Sequence, residues 1–208
     1  SEKTILERII NILNINNYKK IIIVTGFKNS LIKKKITGKN IKFFNFHNYK
    51  NTNNLQTLLH VKKELNSNIL CLFADIIFDE KIIKLISKSK KKITLGIDTS
   101  KVLSDTMRIK KKFNKINGIG SHINVKEGDG NFIGIAKFSK KGALMLKRYL
   151  SDQSDNKKDY YTIVLNKMIS DKVQINFIDF KKYFWKEIDT IKDYNIMKKI
   201  IRNKHFKF

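Results

Sequence analysis

The chain has 208 residues and is strongly basic, with 44 Lys and Arg against 18 Asp and Glu, a formal net charge of +26, one Cys and no Pro. This length suits one α/β domain, or one domain with a small appendage, and is enough to bury a proper core. No apolar run approaches the roughly 20 residues of a membrane span and no secretory-type leader opens the chain, so a soluble, cytoplasmic protein without membrane insertion is expected.

From Thr4 to Asn14, residues Ile5, Leu6, Ile9, Ile10 and Leu13 fall on one helical face. KIIIVT (Lys20 to Thr25) reads as a buried strand broken by Gly26, with a helix from about Asn29 to Ile36 after it. Ile41 to Phe46 is a second strand. A helix from about Asn53 to Leu65 then carries Leu55, Leu58, Leu59 and Leu65 on one side. Ile69 to Ala74 is wholly apolar, as a strand buried on both faces of a parallel sheet would be, and it ends on Asp75. A helix follows over about Glu80 to Ser87, then the strand Lys92 to Asp98. Strands and helices alternating at this spacing predict a Rossmann-like, mostly parallel sheet with helices on both faces. The single Cys71 lies inside an apolar strand; it forms no internal disulfide and reads as a small core hydrophobe.

Beyond Asp98 the texture changes. Thr106 to Asn114, Lys115 to Ile123 and Asn131 to Phe138 are strand-like, with Gly- and Asn-rich turns between them, which predicts a small antiparallel insertion over residues 99–138 on the carboxyl edge of the sheet. Ser139 is placed to cap a helix over Lys140 to Leu150; a polar loop, Ser151 to Lys158, leads to another helix ending near Ile169. Val173 to Asp179 and Lys182 to Ile188 are short strands, and Asp189 opens a last helix to about Arg202. With no repeats and no linker, residues 1–208 read as one domain.

Two carboxylates stand where a ligand would meet this sheet. In open α/β sheets, sites lie beyond the carboxyl ends of strands, which is where Asp75 and Asp189 follow apolar strands. Two carboxylates sharing one Mg²⁺, with water and phosphate oxygens completing the shell, is the common protein arrangement for that ion. Each also has a plainer reading, as turn former or helix cap. The positive charge raises nucleic acid as a partner. However, the lysines are scattered among abundant Ile and Asn, the residues of A/T-rich codons, and only Lys33 to Lys35, Lys88 to Lys92 and Lys110 to Lys112 form patches. With no zinc-finger, RRM or KH signature, nucleic acid is disfavoured.

VTGFK (Val24 to Lys28), NFHNYKNTNNLQTL (Asn45 to Leu58), LFADIIFD (Leu72 to Asp79), DTMRI (Asp105 to Ile109), FIGIAKFSKKGA (Phe132 to Ala143) and WKEIDT (Trp185 to Thr190) occur in this order across nearly the whole chain. The series resembles the nucleotidyltransferases that activate sugar 1-phosphates, closest to the phosphocholine, inositol-phosphate and aminoethylphosphonate cytidylyltransferases. The resemblance implies a nucleotide-diphospho-sugar transferase type of fold and an Mg²⁺-dependent enzyme. Its reaction would move a nucleoside monophosphate, CMP from CTP in the first instance, onto phosphocholine, a phosphonate, a polyol phosphate or a sugar 1-phosphate. By position in the matching motifs, Asp75 and Asp189 would hold Mg²⁺, with Glu187 orienting one of them or binding substrate. Asn53, Asn54 and Thr57, with Asp75, would contact the nucleotide. Asn131, Phe132 and Trp185 would line the acceptor site, Asn131 standing where relatives carry Glu. A homodimer is left open.

One part of the family pattern is missing. The family opens with a strand and a G-x-G-x-R loop that cradles the triphosphate, whereas SEKTILER (Ser1 to Arg8) resembles what directly follows that loop. The absent strand would be central, between Lys20 to Thr25 and Ile69 to Ala74. The expectation is therefore a fragment of a longer protein, or a strand supplied by another segment or chain. The alternatives to a working enzyme are an inactive family member or fragment retained as a binding module, and a basic nucleic-acid binder.

Overall fold

A computed structural model describes residues 3–153 and 155–203, with side chains through residue 200. Ser1 and Glu2 of the SEKTILER stretch, and Ser154 of the polar loop, lie outside the described residues. The elements run α1 (Ile5–Ile15), β1 (Ile21–Thr25), α2 (Asn29–Lys35), β2 (Ile41–Asn45), α3 (Asn54–His60), β3 (Ile69–Leu72), β4 (Ile76–Phe78), α4 (Lys81–Ser87), β5 (Ile93–Asp98), β6 (Arg108–Lys112), β7 (Lys115–Gly120), β8 (Gly130–Phe138), α5 (Lys140–Ser151), α6 (Thr162–Ser170), β9 (Asn176–Asp179), β10 (Trp185–Glu187) and α7 (Ile191–Asn203).

Strand β8 is the spine. It pairs antiparallel with β3 and β6 along one edge and with β5 along the other, while β9 runs parallel to β5. Sequence placed this strand in an edge insertion, but it lies in the middle of the main sheet; only the β6–β7 hairpin extends outward from it. Strands β3, β5 and β9 therefore share one direction, with β8 opposed between them. β1 and β2 form a separate parallel pair. Lys20, just before β1, and Lys42 in β2 both pair with Glu64, on the approach to β3, so the starts of these three strands lie at the same end.

The two faces of the sheet bury two cores. Phe132, Ala136 and Phe138 of β8 pack with α5, α6 and Leu55, while Ile133 and Ile135 pack with α1, α4 and Phe180. This is the ordinary alternation of a strand, even-numbered residues to one core and odd-numbered to the other, and it is kept through Gly134. Between the paired positions Leu95–Ala136 and Ile97–Phe132, β8 carries three residues where β5 carries one, and Gly134 takes up the bulge at φ +74°. The Phe73 ring lies against this glycine, and the Phe73 amide donates to its carbonyl at 2.9 Å. There β3 ends and the chain turns through Ala74 and Asp75 into β4.

Helix starts follow their caps. Thr4 and Glu7 form a reciprocal capping box on α1, and Ser139 Oγ accepts from the Gly142 amide on α5. Among the described residues no helix is long and apolar enough to cross a membrane. Strand β3, expected to be buried on both faces, is only half-buried along its whole length.

Gly134→Ala would force a left-handed backbone on an L-residue and push its Cβ into the Phe73 ring, 2.8 Å away. A loss of about 2 kcal/mol is expected, read as a lower urea midpoint with unchanged slope.

Candidate functional site

The site is built by a short ladder between segments far apart in sequence. β4 and β10 pair antiparallel, with Ile76 opposite Glu187 and Phe78 opposite Trp185, and the Ile188 amide donates to the Asp75 carbonyl at 2.8 Å. This carries Asp75, Glu187 and Asp189 to one rim at the carboxyl ends of β3 and β5. The plainer roles for the two aspartates are filled by neighbours. Thr190 and Asp193 cap α7 reciprocally, with Asp193 Oδ2 accepting from the Thr190 amide and Thr190 Oγ1 from the Asp193 amide. Asp79 Oδ1 accepts from the Lys81 amide at the start of α4.

The electrostatics are those of like charges held together. Partial burial raises the Asp75 carboxyl above its usual range, and the negative charge of Asp189 adds to this. Glu187, half-buried, is pushed up to about 7, first by burial and then by Asp189, Asp75 and Asp105. Among the described residues no group of three or more His, Cys, Asp or Glu is arranged to hold a metal. Asp75 and Asp189 form a smaller set, two carboxylates close enough for the charge of one to raise the other. Their mutual repulsion is what a cation would relieve.

A cleft opens beside the rim, lined by Asp98, Leu103, Asp105, Thr106, Trp185, Lys186, Glu187, Asp189 and Asp193. Five of the chain's 18 acidic residues and its one Trp meet here, in a protein of charge +26. Buried Asp98 fixes the indole, accepting from Trp185 Nε1 at 2.8 Å through one oxygen and from the Ser100 amide at 2.8 Å through the other.

Asn131 and Phe132, expected in the acceptor site, have no exposed surface. Phe132 is core, edge-on to Phe73 and Tyr161. The Asn131 amide instead shapes the cleft wall from within. Its oxygen accepts from the Leu103 amide and Thr106 Oγ1, both at 2.9 Å, and its nitrogen donates to the carbonyls of Lys101 (2.6 Å) and Asp98 (3.3 Å). A carboxylate there could not donate the last two bonds, which is the physical content of Asn at this position. Buried Arg108 completes the wall by donating to the carbonyls of Leu103, Ser104, Ser121 and Ile123.

Asn53, Asn54 and Thr57 lie on α3, outside this cleft. Asn53 caps the helix through the Asn54 amide at 2.8 Å, and Asn54 Oδ1 accepts from the Tyr161 amide at 2.8 Å. Tyr161 packs edge-on against Phe73, two residues before Asp75, so α3 is joined to the rim through one aromatic step. Asp98 and Asp105 were not assigned from sequence. Asp98 carried the same signal as Asp75, a buried strand ending on a carboxylate.

Sequence comparison gives no match to a protein-family model or to a curated protein. Structure comparison does. An inositol-1-phosphate CTP transferase from T. maritima superposes with a TM-score of 0.76 at 18% identity, covering 94% of this chain and 82% of that one. The chain has the nucleotidyltransferase fold. A CTP:phosphocholine cytidylyltransferase from Streptococcus pneumoniae gives 0.74 at 18% identity, over 97% of this chain and 86% of that one. A Bacillus anthracis protein assigned as a glucose-1-phosphate thymidylyltransferase, in complex with sucrose, gives 0.77 at 13%, over 98% and 85%. The nucleotidyltransferase fold is thus kept where few residues are shared, because β8, its ladders and the two cores need apolar character rather than particular side chains.

The raised Glu187 carboxyl sets a pH dependence. A folded-state value near 7 against an ordinary 4.5 means that its contribution to stability is fully present below pH 4.5 and is lost as pH rises through 7. In the metal-free protein, unfolding midpoints should fall over that window from this group, and Glu187→Gln should flatten the slope; an unaltered slope in the variant would remove Glu187 as its source.

Proposed function

We propose that the protein transfers a nucleoside monophosphate from a nucleoside triphosphate, CTP in the first instance, to a phosphorylated or phosphonylated small molecule. The observation that carries this reading is the convergence of Asp75, Glu187 and Asp189 at a strand-end rim, in a fold whose solved examples named above are nucleotidyltransferases. An acceptor oxyanion attacks the α-phosphorus, the α–β phosphorus–oxygen bond breaks, and pyrophosphate leaves with the bonding electron pair. Such a displacement needs alignment and charge neutralisation rather than a protein nucleophile.

Asp75 and Asp189 would hold Mg²⁺, which when bound neutralises triphosphate charge. Glu187, with its carboxyl pushed up to about 7, is available near neutrality to donate a hydrogen bond as well as to accept one. The side-chain amides of Asn53 and Asn54 and the Thr57 hydroxyl offer donors and acceptors to a base edge. The cleft supports one acceptor class over the others. Asp98, Asp105 and Glu187 around the Trp185 indole suit an ammonium group, as in phosphocholine or aminoethylphosphonate, better than a neutral polyol or hexose.

Pyrophosphate release should be measured with CTP, UTP, ATP and dTTP against phosphocholine, aminoethylphosphonate, inositol 1-phosphate and glucose 1-phosphate, with and without Mg²⁺. CTP with an ammonium-bearing acceptor is expected to be the best pair; no release from any pair by a folded sample would overturn the reading. Asp75→Asn or Asp189→Asn should lower kcat by about 100-fold or more with the fold unchanged by circular dichroism. Trp185→Ala should raise KM for the ammonium-bearing acceptor by about tenfold and leave KM for CTP within about twofold.

A further inference from the structure

The tip of the β6–β7 hairpin places an aromatic ring where the turn favours glycine. Lys112 and Lys115 pair across it, so Phe113 and Asn114 make a two-residue loop, and Phe113 takes the first position at φ +53°. Hairpin turns with a left-handed first residue favour Gly there, and Asn, the next residue in the chain, tolerates that region far better than a bulky ring does. Phe113 gains no burial in exchange, since it is 86% exposed. Strain without burial lowers stability in the free chain, and contact with a partner offsets it.

The surroundings of the ring give the charge of that partner. The Ile116 amide donates to the Ile175 carbonyl and the Ile119 amide to Asn166 Oδ1, both at 2.9 Å, which lays the hairpin along α6 and sets its tip beside the turn that leads into β9. β9 begins level with β5, Asn176 opposite Thr94, so the Lys88 to Lys92 run that leads into β5 stands next to the same turn. Lys112, Lys115, Lys172 and Lys90 to Lys92 are exposed, and among the described residues none of them forms an ion pair. Nearby carboxylates are engaged, Asp171 by Lys167, Glu127 by Lys110 and Asp129 by the Lys111 amide. This basic pole lies at the amino ends of β5 and β9, opposite the rim of Asp75, Glu187 and Asp189.

We propose that this pole docks on an anionic membrane leaflet, with Phe113 entering the headgroup layer at the hairpin tip and the lysines around it set against lipid phosphates. Near such a surface each Lys strengthens binding about fivefold, and the ring adds apolar burial that charge alone lacks. A nucleic-acid strand fits less well. It is tracked by a groove with successive stacking rings and gripped by Arg forks, whereas this is a projecting tip with one ring, in segments that contain no Arg. Docked in this way, the protein turns the carboxylate cleft, at the other end of β5, toward water. The docking does not depend on the reaction in that cleft.

The test is sedimentation with vesicles of about 30% phosphatidylglycerol in phosphatidylcholine at about 0.1 M salt, beside vesicles of phosphatidylcholine alone. The unmodified chain is expected to bind the first and not the second. Phe113→Gly should lower vesicle affinity at least about tenfold while raising Tm, because Gly adopts the left-handed region without strain. Lys115→Glu should lower affinity about tenfold, and Lys50→Glu, the same charge change at an exposed position beyond the carboxyl end of β2, by no more than about twofold. No binding by a folded sample, a Phe113→Gly variant that binds as the unmodified chain does or melts lower, or equal losses at Lys50 and Lys115 would each overturn the proposal. Binding to single-stranded oligodeoxythymidylate that falls in Phe113→Gly while vesicle binding holds would assign nucleic acid to the tip and overturn it too.

Discussion

Strand β8 is hydrogen-bonded on both edges and buried on both faces, and the rest of the fold hangs from that constraint. Its ladder to β3 fixes where the apolar run ends; its ladders to β5 and β6 fix the cleft wall. Alternate residues of this one strand serve opposite cores, and β3 ends where Phe73 bonds the bulged Gly134, just before the chain turns at Asp75. Position of the first carboxylate is thus a by-product of backbone geometry in a strand that never touches it.

The second constraint is electrostatic. A chain with a large excess of cations could have matched each carboxylate to a lysine, as it does at Glu64, Glu127 and Asp171. Among the described residues no ion pair is made by Asp75, Glu187 or Asp189, and burial and mutual repulsion raise Asp75 and Glu187. Holding like charges close is destabilising in the free protein, and uptake of a proton or the approach of a cation relieves it. The acidic cleft inside a basic molecule also divides the surface by sign, drawing polyanions to the exterior and cationic groups to one opening.

The alternation of strands and helices was legible in the sequence because burial imposes a local pattern. Pairing was less so. Asn131 to Phe138 reads the same whether it sits at an edge or in the centre, since an apolar run buried on both faces does not record its neighbours. For Ile69 to Ala74 the pattern gave apolarity on both faces but could not give the open edge that leaves β3 half-buried. At Asp189 the sequence left cap and ligand open; the Thr190–Asp193 spacing is the capping signature, displaced by one residue, and it frees Asp189. Asn131 could not be read as a wall-former, because three of its four partners, Lys101, Leu103 and Thr106, come from a segment about thirty residues earlier that lacks regular structure.

The β4–β10 ladder has a consequence for biogenesis. Its two strands lie far apart in the chain, and β10 leaves the ribosome long after β4. The buried residues of both cores lie at or before Phe180, with Tyr183 and Trp185 packing on them later, so most apolar burial can precede the meeting of Asp75 with Glu187 and Asp189. Carboxylate repulsion is therefore met by an already collapsed molecule, and the costliest arrangement of charge in the protein is assembled when the energy to hold it is in place.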